Sequence, residues 1–278
     1  MRDVTLGQFI PGDSPLHRMD PRTKICIMLV YIVMTFLAET IAAFAIPLAF
    51  LVFALLLSGI RVSYIWKSIK PIRLLLVFMF VLNLLFSDSE GESFQFLFWT
   101  WDNVIFDWGF WQLTFSAIYQ SVFITIRIVL LVAGSSMLTL TTSPLLLTDG
   151  IERLLSPLKV FRFPAHELAM MMTIAIRFIP TLMEESDKIQ KAQMARGADF
   201  ESGNLFRRIK SMVPILIPLF VSAFRKADEL AIAMESRCYH GGEGRTRMRQ
   251  LRFSRYDLFG ALITLVTLGA LIVVKVVF

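Results

Sequence analysis

Five runs along the chain are apolar and nearly free of charged residues, and the long interval before the last of them is amphipathic instead. The runs cover residues 25–38, 41–57, 72–86, 115–140 and 258–278. A helical bilayer crossing takes roughly 20 apolar residues, so the last two runs read directly as spans. The first two are short and broken only around Glu39 and Thr40, which makes them a pair of closely spaced spans or a helical hairpin. Together the runs predict an all-α, polytopic membrane protein with about five transmembrane helices, the N-terminus inside and the C-terminus outside. Asp20 and Pro21 are placed to start the first helix, as N-cap and first helical residue. The leader before them is polar and contains Pro11, Pro15 and Pro21, so no cleavable signal is expected and the first span inserts as an internal signal.

The interval 141–255 shows helical periodicity with charged positions. A short amphipathic helix is predicted over 151–160, interrupted by Pro157, and a longer one over 165–198, kinked at Pro180. A third follows over 205–237, with Pro214 and Pro218 inside it. The apolar part of the third, 212–224, is too short to span and suits an interfacial or core helix. Three segments result: 1–140 with a leader and four spans, 141–255 as a cytoplasmic or interfacial helical region, and 256–278 as the last span.

A pattern recurs within that middle region. Asp187, Ile189, Ala192, Ala195, Arg196 and Gly197 are each followed 41 positions later by Asp228, Leu230, Ala233, Ser236, Arg237 and Cys238. In a helix Ala192, Ala195 and Arg196 are three and four residues apart and share a face, as do Ala233, Ser236 and Arg237. Each arginine sits beside a small residue that suits a helix end, so its forked guanidinium is carried at the tip of a rod. A cation at a helix C-terminus also complements the dipole by about 0.3–1 kcal/mol, which explains either arginine singly. The matched pair asks for more.

Charge settles the sidedness. The chain carries 28 Lys+Arg and 22 Asp+Glu, and 18 of those cations lie between Thr141 and Arg255, which places that region in the cytoplasm. The linker 61–73 has Arg61, Lys67, Lys70 and Arg73 without an acid and belongs on the same side. Residues 87–113 have five acids, no Lys or Arg, and Trp99, Trp101, Trp108 and Trp111, as expected of an outer segment with an interfacial aromatic belt. Twelve acids share the basic region, which argues against nucleic-acid binding. Arg127 lies inside the fourth span, where a charge costs at least about 2.5 kcal/mol. Structural pairing or snorkelling is favoured for it over a substrate contact.

Several chemistries lack their residues. Cys26 and Cys238 form no metal-ligating or disulfide pattern, and His17, His166 and His240 are scattered. Gly241, Gly242 and Gly244 do not form a nucleotide-binding loop, so the chain is expected to hydrolyse no ATP itself and to hold no cofactor or metal. His166 beside Glu167 leaves a lipid-modifying enzyme as a minor alternative. The methionines Met170, Met171, Met172, Met183 and Met194 suit an adaptable contact surface or plain apolar packing equally.

The paired tips, together with Gly12 to His17 and Asp20 to Lys24 in the leader, resemble the family of transmembrane coupling components (EcfT) of energy-coupling factor transporters. The likeness covers most of the chain. It implies two cytoplasmic coupling helices, each docked on one of two ABC-type ATPases, and a small substrate-binding membrane subunit against them. Ala195, Arg196, Gly197, Ser236, Arg237 and Cys238 would be the ATPase-coupling residues, with ATP bound by the partner subunits. Ser236 and Cys238 depart from the family's commoner Ala and Gly. The implied role is uptake of vitamins or other micronutrients across a bacterial or archaeal cytoplasmic membrane. A component dedicated to cobalt or nickel is the alternative, and a self-sufficient secondary transporter a more distant one.

Overall fold

The computed structural model describes residues 9–40, 43–86, 94–96, 99–101, 104–107, 112–161, 163–198, 200, 204–239, 241 and 251–277. In chain order the helices are α1 (Pro15–Arg18), α2 (Pro21–Leu37), α3 (Ala45–Ser58), α4 (Val62–Ile69), α5 (Arg73–Phe86), α6 (Phe115–Thr141), α7 (Pro144–Leu155), α8 (Ala165–Ala195), α9 (Leu205–Glu235) and α10 (Arg255–Val277). Two compact units result: one of Thr5–Leu147 with Leu251–Phe278, the other of Thr148–Gln250 with Met1–Val4.

The described residues of all five apolar runs are mainly helical. Among the described residues, Ala117–Thr141 of α6 and Arg255–Val276 of α10 are long and apolar enough to cross a membrane, and α3 is a shorter apolar helix. Leu74, Val77 and Phe78 of α5 and Leu262, Leu265 and Val266 of α10 are exposed in the isolated chain, so these helices turn apolar faces outward, as lipid-facing helices do. The fold is that of an all-α membrane protein with two small additions. β1 (Phe94–Phe96) pairs with β2 (Trp99–Trp101), and β3 (Val104–Asp107) with β4 (Gln112–Thr114), both antiparallel. Aromatic and β-branched residues at alternating positions favour strands there. The expected aromatic belt falls partly on Trp108 and Trp111, outside the described residues, as do His240 and the basic stretch through Arg249.

Asp20 caps α2 as the sequence predicts, its carboxylate accepting the Arg22 N–H at 3.0 Å. The basic linker is helical in part, because its apolar positions recur at helical spacing. It forms α4, which buries Ile65 against Ala133, Met137 and Leu140 of α6. The short helix predicted over 151–160 begins earlier, at Pro144, and Pro157 falls in a 3-10 stretch (Ser156–Phe161) after it.

Polar ties close both ends of the membrane unit. At one end the Lys24 ammonium is buried and donates to the Thr141 carbonyl at 3.1 Å, the Thr142 hydroxyl at 3.0 Å and the His17 carbonyl at 3.4 Å. Asp257 accepts the Asp20 N–H at 2.7 Å and the Ser254 N–H at 2.6 Å, so one carboxylate caps α10 and holds the start of α2. Burial holds the His17 imidazole below the ordinary histidine pKa. Its neutral ring lies between the Ile10 carbonyl at 3.0 Å, which can only accept, and the Ser14 hydroxyl at 2.6 Å. The other end depends on Arg127. Its guanidinium donates to the Ala38 carbonyl at 3.0 Å, one of the carbonyls left free where α2 ends, and lies over the rings of Phe123, Phe36 and Phe44 at 4.7, 5.6 and 5.9 Å. Structural pairing is thus the role the structure gives this arginine. Beyond it, Lys275 of α10 pairs with Glu39.

α2 lies close to α6 because Gly134 has no side chain. Tyr31 packs its ring there and donates its hydroxyl to the Leu130 carbonyl at 3.1 Å. A Cβ at Gly134 would run into that ring, whereas one at Gly269 of α10 meets nothing within 4 Å. Gly134→Ala is expected to destabilise by about 1–3 kcal/mol through overpacking, and Gly269→Ala to be neutral or stabilising by up to about 1 kcal/mol through helix propensity. Thermal unfolding of the two variants in detergent checks the contrast.

Candidate functional site

α8 and α9 are antiparallel neighbours of 31 residues each. Three contacts fix their register. Glu185 and Lys226 form an ion pair at 3.5 Å near the middle. The Gln193 amide donates to the Pro214 carbonyl at 3.5 Å on one side, and the Tyr239 hydroxyl reaches the Met170 sulfur at 2.9 Å on the other. The Pro214 carbonyl is free to accept because Pro218, four residues on, has no N–H to give it. Glu185 and Lys226 are themselves 41 positions apart, the interval that separates the two copies of the repeated pattern. Equivalent positions that face each other lie where a two-fold axis would pass, so the helix pair is approximately two-fold symmetric about this ion pair.

The symmetry carries through to the tips. After Arg196 the Ala198 N–H bonds the Gln193 carbonyl at 3.0 Å and the Gly197 N–H the Met194 carbonyl at 2.9 Å. After Arg237 the Tyr239 N–H bonds the Met234 carbonyl at 3.0 Å and the Cys238 N–H the Glu235 carbonyl at 2.8 Å. Each is a Schellman cap with an arginine immediately before its left-handed residue. The left-handed position is Gly197 in the first, φ +84°, and Cys238 in the second, φ +56°. Exposure repeats as well: Ala192, Ala195, Arg196 and Gly197 are exposed, and so are Ala233, Ser236, Arg237 and Cys238. The structure therefore groups the six predicted residues three by three, at two separate ends. Each arginine lies 11 positions beyond its member of the central pair, which at 1.5 Å per residue separates the tips by roughly 33 Å along the pair.

Neither guanidinium has an ion-pair partner among the described residues. Each presents a fork of donors with small neighbours around it, a surface suited to a carboxylate or carbonyl on a docking protein. Sequence reasoning missed Gln193, Met234 and Tyr239, which accept or make the cap bonds, and the Glu185–Lys226 pair. The 41-residue interval held the signal for all of them. His166 is bonded at 2.9 Å to Glu152 on α7, not arranged with Glu167. Much of the apolar surface of the pair is uncovered: Met171, Met172, Met183 and Met194 on α8 are exposed, with Phe206, Ile217, Phe220 and Phe224 on α9. Among the described residues no cluster of three potential metal ligands occurs.

Known proteins share this sequence along nearly its whole length. The family model described as cobalt transport protein, CbiQ, matches residues 12–248. A protein of Thermosediminibacter oceani named energy-coupling factor transporter transmembrane protein EcfT is 52% identical over 258 residues, 93% of this chain and 92% of that one. Proteins of the same name from Clostridium kluyveri and Bacillus subtilis are 48% identical over 266 residues and 44% over 272, covering 96% and 98% of this chain and 94% and 98% of their own.

The left-handed cap positions differ chemically and should respond oppositely. Cys238→Gly is expected to relieve about 1–2 kcal/mol of backbone strain, and Gly197→Ala to introduce a comparable amount, since only the backbone conformation and no neighbour opposes the added methyl. Amide hydrogen exchange at Tyr239 should slow in the first variant and that at Ala198 quicken in the second. Unchanged exchange at both would contradict the caps.

Proposed function

This chain belongs to the CbiQ family of cobalt transport proteins, among the energy-coupling factor transporter transmembrane proteins, and we propose that it couples two ABC-type ATPases to a substrate-binding membrane subunit. One observation carries the reading: two alike arginine-bearing caps at opposite ends of an approximately two-fold helix pair. A two-fold arrangement fits a pair of like partners better than one partner. A separation of roughly 33 Å gives each partner room to dock on its own tip.

In this reading Arg196 and Arg237 make the principal ATPase contacts. Ala195 and Gly197 at one tip, and Ser236 and Cys238 at the other, let the partner's surface come close. Nucleotide binding and hydrolysis in the ATPases draw the tips together or let them part, and α8 and α9 transmit that motion. The uncovered methionine-rich and aromatic faces of α8 and α9 take the membrane subunit, whose identity sets the substrate, a vitamin or another micronutrient. Flexible thioethers suit a surface that meets more than one such subunit. ATP belongs to the partners, and this chain performs no chemistry of its own. The engagement of Arg127 by Ala38 and three phenylalanine rings supports a scaffold over a secondary transporter that would use it in a substrate path.

The description of the matching family supports a second reading, a component dedicated to cobalt. Uptake assays with the reconstituted complex separate the two. Transport of several unrelated micronutrients with different membrane subunits supports the shared role, and transport of cobalt alone the dedicated one.

Removing one partner of a buried, hydrogen-bonded charge contact costs about 2–5 kcal/mol. Arg196→Ala with Arg237→Ala should therefore abolish ATPase co-purification from detergent while leaving the chain inserted in the membrane. A stoichiometric complex in the double variant would contradict the proposal.

A further inference from the structure

The membrane unit has an opening in its side, between α3 and α10. At one end the two helices meet: Leu271 of α10 is buried in one cluster with Ala43 and Phe44 at the start of α3, and Lys275 reaches Glu39. At the other end α1 packs against both helices and shuts the gap. Between these closures lies a cavity of about 340 Å³, within the range of about 300–1,000 Å³ typical of small-ligand sites. Ile27, Met28 and Tyr31 of α2 form its floor. Its flanks are Phe53, Ala54 and Leu57 on α3 and Phe259, Gly260 and Ile263 on α10.

Three observations define the occupant. Phe53, Leu57 and Phe259 are exposed on the rim, so the cavity opens beside apolar outer faces of α3 and α10. The charged group lining it, Lys24, already directs its ammonium hydrogens at three protein oxygens, the carbonyls of His17 and Thr141 and the hydroxyl of Thr142. An anionic ligand would find no free donor there. Close-packed interiors do not leave a void of this size without losing dispersion contacts around its whole lining, and the medium outside is hydrocarbon. We propose that the window seats one acyl chain of a membrane phospholipid, which enters sideways from the bilayer and packs on Tyr31 and Met28. The chain packs between the facing walls of the window, Phe53, Ala54 and Leu57 on α3 and Phe259, Gly260 and Ile263 on α10. Recognition is by the chain and is indifferent to the headgroup.

The full chain in nanodiscs carrying a trace of phosphatidylcholine with a photoactivatable diazirine in mid-chain tests this, with adducts mapped by mass spectrometry. Adducts on the Phe259–Ile263 and Phe53–Leu57 segments are expected to exceed those on outward-facing Leu265. Ala54→Phe should lower the window adducts by about tenfold, equivalent to roughly 1.4 kcal/mol of lost occupancy, with Leu265 labelling unchanged. Ile263→Trp fills the same space from the opposite wall and serves if the first variant does not elute as a folded species. A phosphatidylglycerol probe should label equally. Window labelling no greater than at Leu265, or unaltered by both filling variants, would overturn the proposal. So would labelling by the anionic probe alone. Loss of labelling when partner subunits are co-expressed would also overturn it and assign the window to a partner's helix.

Discussion

The register of α8 on α9 decides where both arginines end. With Glu185 opposite Lys226, a repeat that is merely sequential along the chain becomes an approximate two-fold in space, and like tips are sent in opposite directions. The ion pair itself is partly exposed, and such pairs contribute at most about 1 kcal/mol. Its importance is positional. A slip of one helical turn, about 5.4 Å, would change the separation of the two tips by that amount while leaving them equivalent, so the register sets the spacing at which a pair of like partners could dock. The prolines support the same register, since Pro218 frees the Pro214 carbonyl that Gln193 then engages.

The membrane unit rests on different physics. It encloses only modest clusters, one around Tyr31, Met34 and Leu130 and another around Ile65, Met137 and Leu140, and leaves most of its large apolar side chains facing outward. Hydrocarbon is as good a neighbour for those side chains as protein is, so packing alone specifies the bundle weakly. Polar ties then fix the arrangement. Lys24 joins the start of α2 to the end of α6, Asp257 joins it to α10, and Arg127 holds the end of α2 against α6. Each is a buried or half-buried group whose alternative, an unpaired charge in an apolar medium, is costly.

Much of this was legible in the sequence, for identifiable reasons. Apolar runs locate membrane helices because backbone groups in lipid must bond within their own segment, and the described residues of all five runs are mainly helical. Asp20 followed by Pro21 marks a helix start because both residues are suited to it by geometry alone. The tips were legible because two copies keep the same interval, and Cys238 can replace Gly197 in a cap whose hydrogen bonds are unchanged. Tertiary pairings were not. Nothing local to Lys24 names Thr141 and Thr142, more than a hundred residues away, and nothing local to Arg127 names Ala38. The four cations of 61–73 mark a basic linker in the sequence, whereas burial of Ile65 decides the structure of α4 within it.

The central claim is that one chain holds two ATPases at once, one at each arginine tip. Photo-crosslinking amino acids at Ala192 and Ala233, each one turn before its arginine on the same exposed face, leave both caps intact. Irradiating the assembled complex of the doubly labelled chain should give a covalent species with the mass of one chain and two ATPase subunits, and each singly labelled chain a species with one. A doubly labelled chain that never captures more than a single ATPase, or two labels that crosslink to the same subunit, would contradict the account.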